Sequence, residues 1–197
     1  MGMLLKLAAH ARVTPDTPAL AWNGGRLGYA ALAQEVEALT RKLTASGVRV
    51  LGLDLDNGPA WALLDLAALA AGVTLVPIPP FFSPQQVRHC LQQAGGQAVI
   101  SDNPDALALR GGDRLSGTIR QLPLLDQTLA WVEARGAGMP AGSAKVTYTS
   151  GTTGEPKGVM LAWEQIQPVV ESLARSTLAG PADRHLALMP LAVLLEN

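Results

Sequence analysis

Between Tyr29 and Ser101 the chain alternates, segment by segment, between helical and strand patterning, and that alternation restricts its fold more than any other feature. Leu32, Val36, Leu39 and Leu43 recur at helical spacing after Tyr29, and Gly47 stands where a left-handed residue closes a helix. Arg49 to Leu55 is nearly continuous Val and Leu, as in a strand buried on both faces. Asn57 and Pro59 signal a second helix start, Gly72 its end, and Val73 to Pro77 a second short strand. Ser83, Pro84 and Gln86 have the spacing of a capping box; Gly95 and Gly96 end that helix before a strand over Ala98 to Ser101. Strands separated by helices require crossovers, which are right-handed. The expected class is α/β: a mostly parallel sheet with helices on both faces.

Composition removes several functional classes. Fifteen basic and sixteen acidic residues give a net charge of −1 with no long run of either sign, so nothing here would attract a nucleic-acid backbone. The single cysteine, Cys90, cannot form an internal disulfide and lies in a Gln-rich helical stretch, which suits a reducing compartment and a structural role. Met1 to Ala9 carries only Lys6 as a charge and lacks the pattern of a secretory leader. Trp61 to Ile78 is apolar enough to suggest a membrane span, but the signals at Pro59 and Gly72 divide it into a helix and a strand. A cytoplasmic location, or peripheral attachment to a membrane, is the expectation.

From Asp102 to Ser143 the pattern weakens. Gly111, Gly112, Gly117, Gly136, Gly138, Pro140 and Gly142 interrupt short apolar groups such as Leu122 to Leu125, and no element can be assigned. Lys145 to Thr149 then reads as a strand, Ser150 to Gly158 as a loop, and about Trp163 to Leu178 as a helix with Ile166, Val170 and Leu173 facing inward. Pro168 either belongs to the first turn of a helix that starts later or bends it. His185 to Met189 reads as a further strand.

The run from Tyr148 to Gly158, YTSGTTGEPKG, has the ingredients of an anion site. Gly151, Gly154 and Gly158 allow tight turns that expose consecutive N–H groups, and Thr149, Ser150, Thr152 and Thr153 add hydroxyl donors. Lys157 adds a compact positive charge, and a helix amino terminus following the loop would add a favourable dipole. The pattern differs from the Gly-Lys-Ser/Thr loop of kinases and GTPases, because Lys157 precedes a glycine and no hydroxyl follows it. Ser/Thr/Gly-rich runs are usually plain surface turns. Small and hydroxyl residues leading into Pro156, Lys157 and Gly158 between a strand and a helix are more specific than that.

This run resembles the phosphate-binding signature of the adenylate-forming superfamily, which includes acyl-CoA synthetases, peptide-synthetase adenylation domains and luciferases. LGYAAL at Leu27 to Leu32, AAGVTLVPIP at Ala70 to Pro79 and HLALMPLAVLLEN at His185 to Asn197 resemble further family segments, in the same order. The resemblance implies that residues 1–197 are the amino-terminal portion of the AMP-binding domain, with the phosphate loop at 148–158. The family's magnesium-binding Glu, ribose-binding Asp, late catalytic Lys and mobile carboxy-terminal domain would all lie beyond Asn197. It also implies ATP and Mg2+ as cofactors and coenzyme A as acceptor. Thr149, Ser150, Gly151, Thr152, Thr153, Gly154 and Lys157 would hold the phosphates, with Lys157 acting on the leaving groups. No metal ligand is assigned within the chain.

Two departures bear on specificity. Ala162 and Trp163 stand where the family often has a Thr- or Ser-His pair, so the following helix lacks its usual cap. Val193 stands where many members carry His or an aromatic residue bordering the acyl pocket. An aliphatic residue there suits an alkyl chain, and the implied activity is acid–thiol ligation of a fatty acid. Two alternatives stay open: an amino-acid adenylation domain that loads a carrier protein, and a nucleotide-binding module without chemistry. The implied partners are small-molecule substrates, and an incompletely covered domain would also favour self-association.

Overall fold

The computed structural model describes residues 2–136, 143–149 and 155–193. Helix α1 (Gly2–Val13) leads into a small antiparallel hairpin, β1 (Pro18–Trp22) and β2 (Gly25–Gly28), and then into α2 (Tyr29–Ser46). The alternating core follows as β3 (Val50–Asp54), α3 (Pro59–Ala71), β4 (Thr74–Pro77), α4 (Pro84–Ala94) and β5 (Ala98–Ser101). After α5 (Pro104–Gly111) come a hairpin, β6 (Leu115–Leu124) and β7 (Gln127–Ala134), then β8 (Lys145–Thr149), β9 (Lys157–Leu161) and α6 (Trp163–Ser176).

Local signals from Tyr29 to Ser101 act as their chemistry dictates. Gly47 and Gly72 close α2 and α3 in the left-handed conformation, with φ of 70° and 67°. Ser83 Oγ accepts the Gln86 N–H (3.3 Å) while Gln86 Oε1 accepts the Ser83 N–H (2.9 Å), which completes the capping box. Asn57 behaves differently from its expected role as a helix signal. The residue capping α3 is Gly58, with no side-chain hydrogen bond, and the Asn57 side chain reaches elsewhere.

A seven-stranded sheet runs in the order β6-β7-β5-β3-β4-β8-β9. Its centre, β5-β3-β4-β8, is parallel. Both flanks are antiparallel: β7 against β5 and β6 on one side, β9 against β8 on the other. The α/β class holds; the parallel run joins β5, β3 and β4, which α3 and α4 connect, to β8, which follows the β6–β7 hairpin.

Alternate strand residues supply the two cores. Leu51, Leu53, Leu75 and Ile100 pack with Leu32, Val36, Leu39 and Leu43 of α2 and with Trp61, Leu63 and Leu64 of α3. Val50, Val76, Val99 and Val146 face Val87, Cys90 and Leu91 of α4. No described helix is long and apolar enough to cross a membrane.

The structure fills the stretch that the sequence left unassigned. Asn103 Oδ1 accepts the Ala106 N–H (3.1 Å) to cap α5, and the β6–β7 hairpin turns at Leu125 with φ of 56°. A leucine in the left-handed region gives no compositional turn signal. Pro123 is tolerated because β6 is an edge strand.

Beyond Thr149 three expectations are corrected. The loop does not run to Gly158, since Lys157 and Gly158 already belong to β9. Val170 and Leu173 do not face inward; they are 48% and 65% exposed, and Ile166 is only half-buried. Residues 185–189 form no strand, and Leu186 and Leu188 are exposed. Hydropathy reports a preference for burial, and no described element lies over these side chains to satisfy it. Pro168 sits inside α6, so the Glu164 carbonyl lacks its helical donor. The missing cap at Ala162 is partly compensated, because Gln165 Oε1 accepts the Ala162 N–H (2.9 Å).

Candidate phosphate-binding site

Strand β8 is buried from Lys145 to Tyr148 and emerges at Thr149, its carboxyl end. In open α/β sheets ligands bind outside that edge. The chain returns antiparallel, so that Thr149 pairs with Lys157, Tyr148 with Gly158 and Lys145 with Leu161. The register brings the first and last members of the predicted phosphate set side by side. Both are exposed, and none of the described ion pairs involves Lys157. Ser150, Gly151, Thr152, Thr153 and Gly154 lie outside the described residues.

The predicted helix dipole is absent from this frame. The return limb is a strand, and α6 starts only after β9 has carried the chain back beside Lys145, about 14 Å from Thr149 at the usual rise per residue. A macrodipole acts within about one turn of the helix end, so α6 adds no favourable dipole beside Thr149, where Lys157 is the adjacent cationic side chain.

Helix α4 supports both arms of the hairpin. The Tyr148 hydroxyl donates to the Cys90 carbonyl (3.1 Å), and His89 Nε2 lies 3.1 Å from the Pro156 carbonyl. Pro156 is buried. Burial pushes the Cys90 thiol up to about 12 and raises the Tyr148 phenol well above its ordinary value. Neither group ionises near neutrality, so both serve as packing and hydrogen-bonding groups.

Val193 is half-buried, and its N–H donates to the Pro190 carbonyl (3.0 Å). The segment before it is held at the exit of β3 by Asn57: Nδ2 donates to the Met189 carbonyl (2.7 Å) and Oδ1 accepts the Leu191 N–H (2.8 Å). No described hydrogen bond or ion pair connects Val193 with Lys157. Sequence reasoning read Asn57 only as a helix-start residue. A short amide before a helix gives no sign that it will grip backbone more than a hundred residues later.

A second polar group missed in the sequence occupies the same sheet edge. Asp54 ends β3, and its Oδ1 accepts Arg110 Nη1 (2.7 Å) while its Oδ2 accepts the Ser101 hydroxyl (3.2 Å). Arg110 Nη2 also donates to the Pro79 carbonyl (2.9 Å). Among the described residues no cluster of three or more His, Cys, Asp or Glu could hold a metal ion.

Known proteins resemble the chain over most of its length. The sulfoacetate–CoA ligase of Cupriavidus necator is 31% identical over 200 residues, which cover 94% of this chain and 39% of the ligase. Tyrocidine synthase 3 of Brevibacillus parabrevis is 28% identical over 183 residues, covering 91% of this chain and 3% of that protein. Among solved structures, the o-succinylbenzoate–CoA synthetase of Bacillus subtilis, in complex with ATP and a magnesium ion, superposes with a TM-score of 0.72 at 22% identity. That match covers 94% of this chain and 50% of the synthetase. The chain thus spans half or less of each of these relatives. Residues 7–196 match the model of the AMP-binding enzymes, and the chain belongs to that family.

Proposed function

We propose that this chain is the phosphate-binding portion of a longer adenylate-forming ligase. In that reaction a carboxylate oxygen attacks the α-phosphorus of ATP, pyrophosphate leaves, and the acyl group passes from AMP to the thiol of coenzyme A. The observation that carries the reading is the pairing of Thr149 with an exposed Lys157 at the carboxyl end of β8, in a chain that matches the family over residues 7–196.

Lys157 would contact the departing phosphates and Thr149 would donate its hydroxyl, so that charge built up on the leaving group meets preorganised donors. Ser150, Gly151, Thr152, Thr153 and Gly154 would complete the cradle. A polyphosphate suits these donors. Mg2+, when bound, would offset the charge of the phosphates; no metal ligand is assigned among the described residues.

For the acid, the reading favours an aliphatic one, a fatty acid, on the strength of Val193 and of Leu191, which packs against the core beside it. Other acids appear in the names of the relatives, sulfoacetate and o-succinylbenzoate, and the match to tyrocidine synthase 3 favours amino-acid adenylation as the second reading. ATP–pyrophosphate exchange by the longer enzyme, across fatty acids, these two acids and amino acids, tests both levels. Exchange with fatty acids is the expected result. Exchange with amino acids alone would overturn the ligase reading, and exchange with none of the acids would overturn adenylation itself.

A further inference from the structure

Two consecutive residues of α4 hold the two arms of the β8–β9 hairpin. The Cys90 carbonyl accepts the Tyr148 hydroxyl from β8, and the His89 ring meets the Pro156 carbonyl just before β9. A carbonyl oxygen only accepts, so His89 Nε2 is the donor. The His89 ring also stands edge-on to Tyr148, with centroids 6.5 Å apart and planes at 78°. Pro156 has a fixed φ and no N–H of its own, so its carbonyl is the polar handle by which this peptide unit can be held. Lys157 is the next residue.

We infer that His89 is a positioning residue for Lys157. By holding the Pro156 carbonyl, it fixes the backbone from which Lys157 enters β9 opposite Thr149, and so where the ammonium meets a phosphate. This rests on the phosphate reading of the loop. The role needs a donor at the Nε2 position, which the amide of Gln can supply and the side chain of Leu cannot. Both substitutions lose the edge contact with Tyr148, so a purely packing role would affect them equally.

The test is calorimetric titration of the 197-residue chain with inorganic pyrophosphate, using wild type, His89→Leu, His89→Gln and Lys157→Ala, with circular dichroism to establish the folded population of each. Loss of the one hydrogen bond that positions Lys157 is expected to weaken binding by His89→Leu roughly 3- to 10-fold, with His89→Gln restored to within about twofold of wild type. Equal affinities for the Leu and Gln variants would overturn the positioning role while leaving the phosphate reading intact. Equal affinities for wild type and Lys157→Ala would overturn the phosphate reading, and the positioning role with it. Nitrogen-15 spectra of the wild-type His89 ring provide a readout that needs no variant: a proton on Nε2 is expected, and a ring protonated only on Nδ1 would overturn the proposal.

Discussion

The ring of Tyr148 lies across Gly158, its cross-strand partner, so closely that a Cβ on Gly158 would come within 3.1 Å of Tyr148 Cε1 and 3.2 Å of Cζ. The ring cannot swing away freely, because its hydroxyl is bonded to the Cys90 carbonyl and its body is buried against α4. The glycine that follows the lysine is therefore required by the neighbouring strand.

Gly158→Ala should destabilise the chain by about 1 kcal/mol, the lower end of the range for overpacking, because a few tenths of an ångström of movement relieves the contact. The thermal midpoint and urea denaturation would show it. A Gly158→Ala variant as stable as wild type, with the Tyr148–Cys90 hydrogen bond intact, would mean that the hairpin adjusts without strain.

Lys157→Ala removes an exposed ammonium and should leave the fold unchanged, since exposed charges contribute little to stability. In the longer enzyme it should slow adenylation by about 10- to 100-fold, the value of one charge-assisted contact made in the transition state. Single-turnover formation of acyl-AMP measures this directly. Unchanged kinetics would remove Lys157 from the reaction.

The 197-residue chain by itself, incubated with ATP, Mg2+ and a fatty acid, is expected to release no pyrophosphate. On the proposed reading it supplies donors for the phosphates, whereas aligning a carboxylate with the α-phosphorus requires walls on every side of both reactants. Catalytic release by this chain would show that the reacting groups are already assembled within it.

Cys90 is fully buried on α4, and burial pushes its thiol to about 12. A thiol that is neither ionised nor accessible does not react, because the thiolate is the nucleophile. A bulky disulfide reagent should therefore label it only at the rate of unfolding, and fast labelling of the native chain would place Cys90 at an accessible site.

How far the sequence predicts this structure depends on what each signal measures. Gly47, Gly72, Ser83 and Gln86 act on the turn they occupy, and those boundaries are legible without tertiary context. The β6–β7 hairpin was hidden because the left-handed position of its two-residue turn is filled by Leu125, which leaves Asp126 as its sole turn-type residue. The run proposed to hold phosphate stands out by composition, but its frame does not: a strand of Lys157, Gly158, Val159, Met160 and Leu161 has little apolar alternation, and its exposed pattern shows why. Inward faces for Val170 and Leu173 were inferred from spacing, which says that a face exists and nothing about what covers it. His89, Asn57 and Arg110 were illegible as site residues, since each acts on backbone or charge far away in sequence.

The Asp54–Arg110 pair makes a prediction whose sign depends on which of two opposed effects is larger. Burial raises the Asp54 carboxyl above its ordinary value of 3.8, and this outweighs the pull of the Arg110 guanidinium in the other direction. Between 3.8 and the raised value the folded state holds more protons than the unfolded state. Stability from this group therefore falls as pH rises through that window and levels off above it. Asp54→Asn removes the titration and the negative charge, while its amide oxygen can still accept from Arg110, whose Nη2 keeps the Pro79 carbonyl; the buried Arg110 Nε–H lacks a partner in wild type and variant alike. At the acid end, where Asp54 is itself neutral, the variant should lie within about 1 kcal/mol of wild type, and as Asp54 ionises wild type should lose ground to it. Wild-type stability minus variant stability, measured by urea denaturation from acid to neutral pH, should therefore decrease as Asp54 ionises. A difference that increases with pH, in favour of wild type, would show that the attraction of Arg110 exceeds the desolvation of Asp54, and that the carboxylate is held in its charged form.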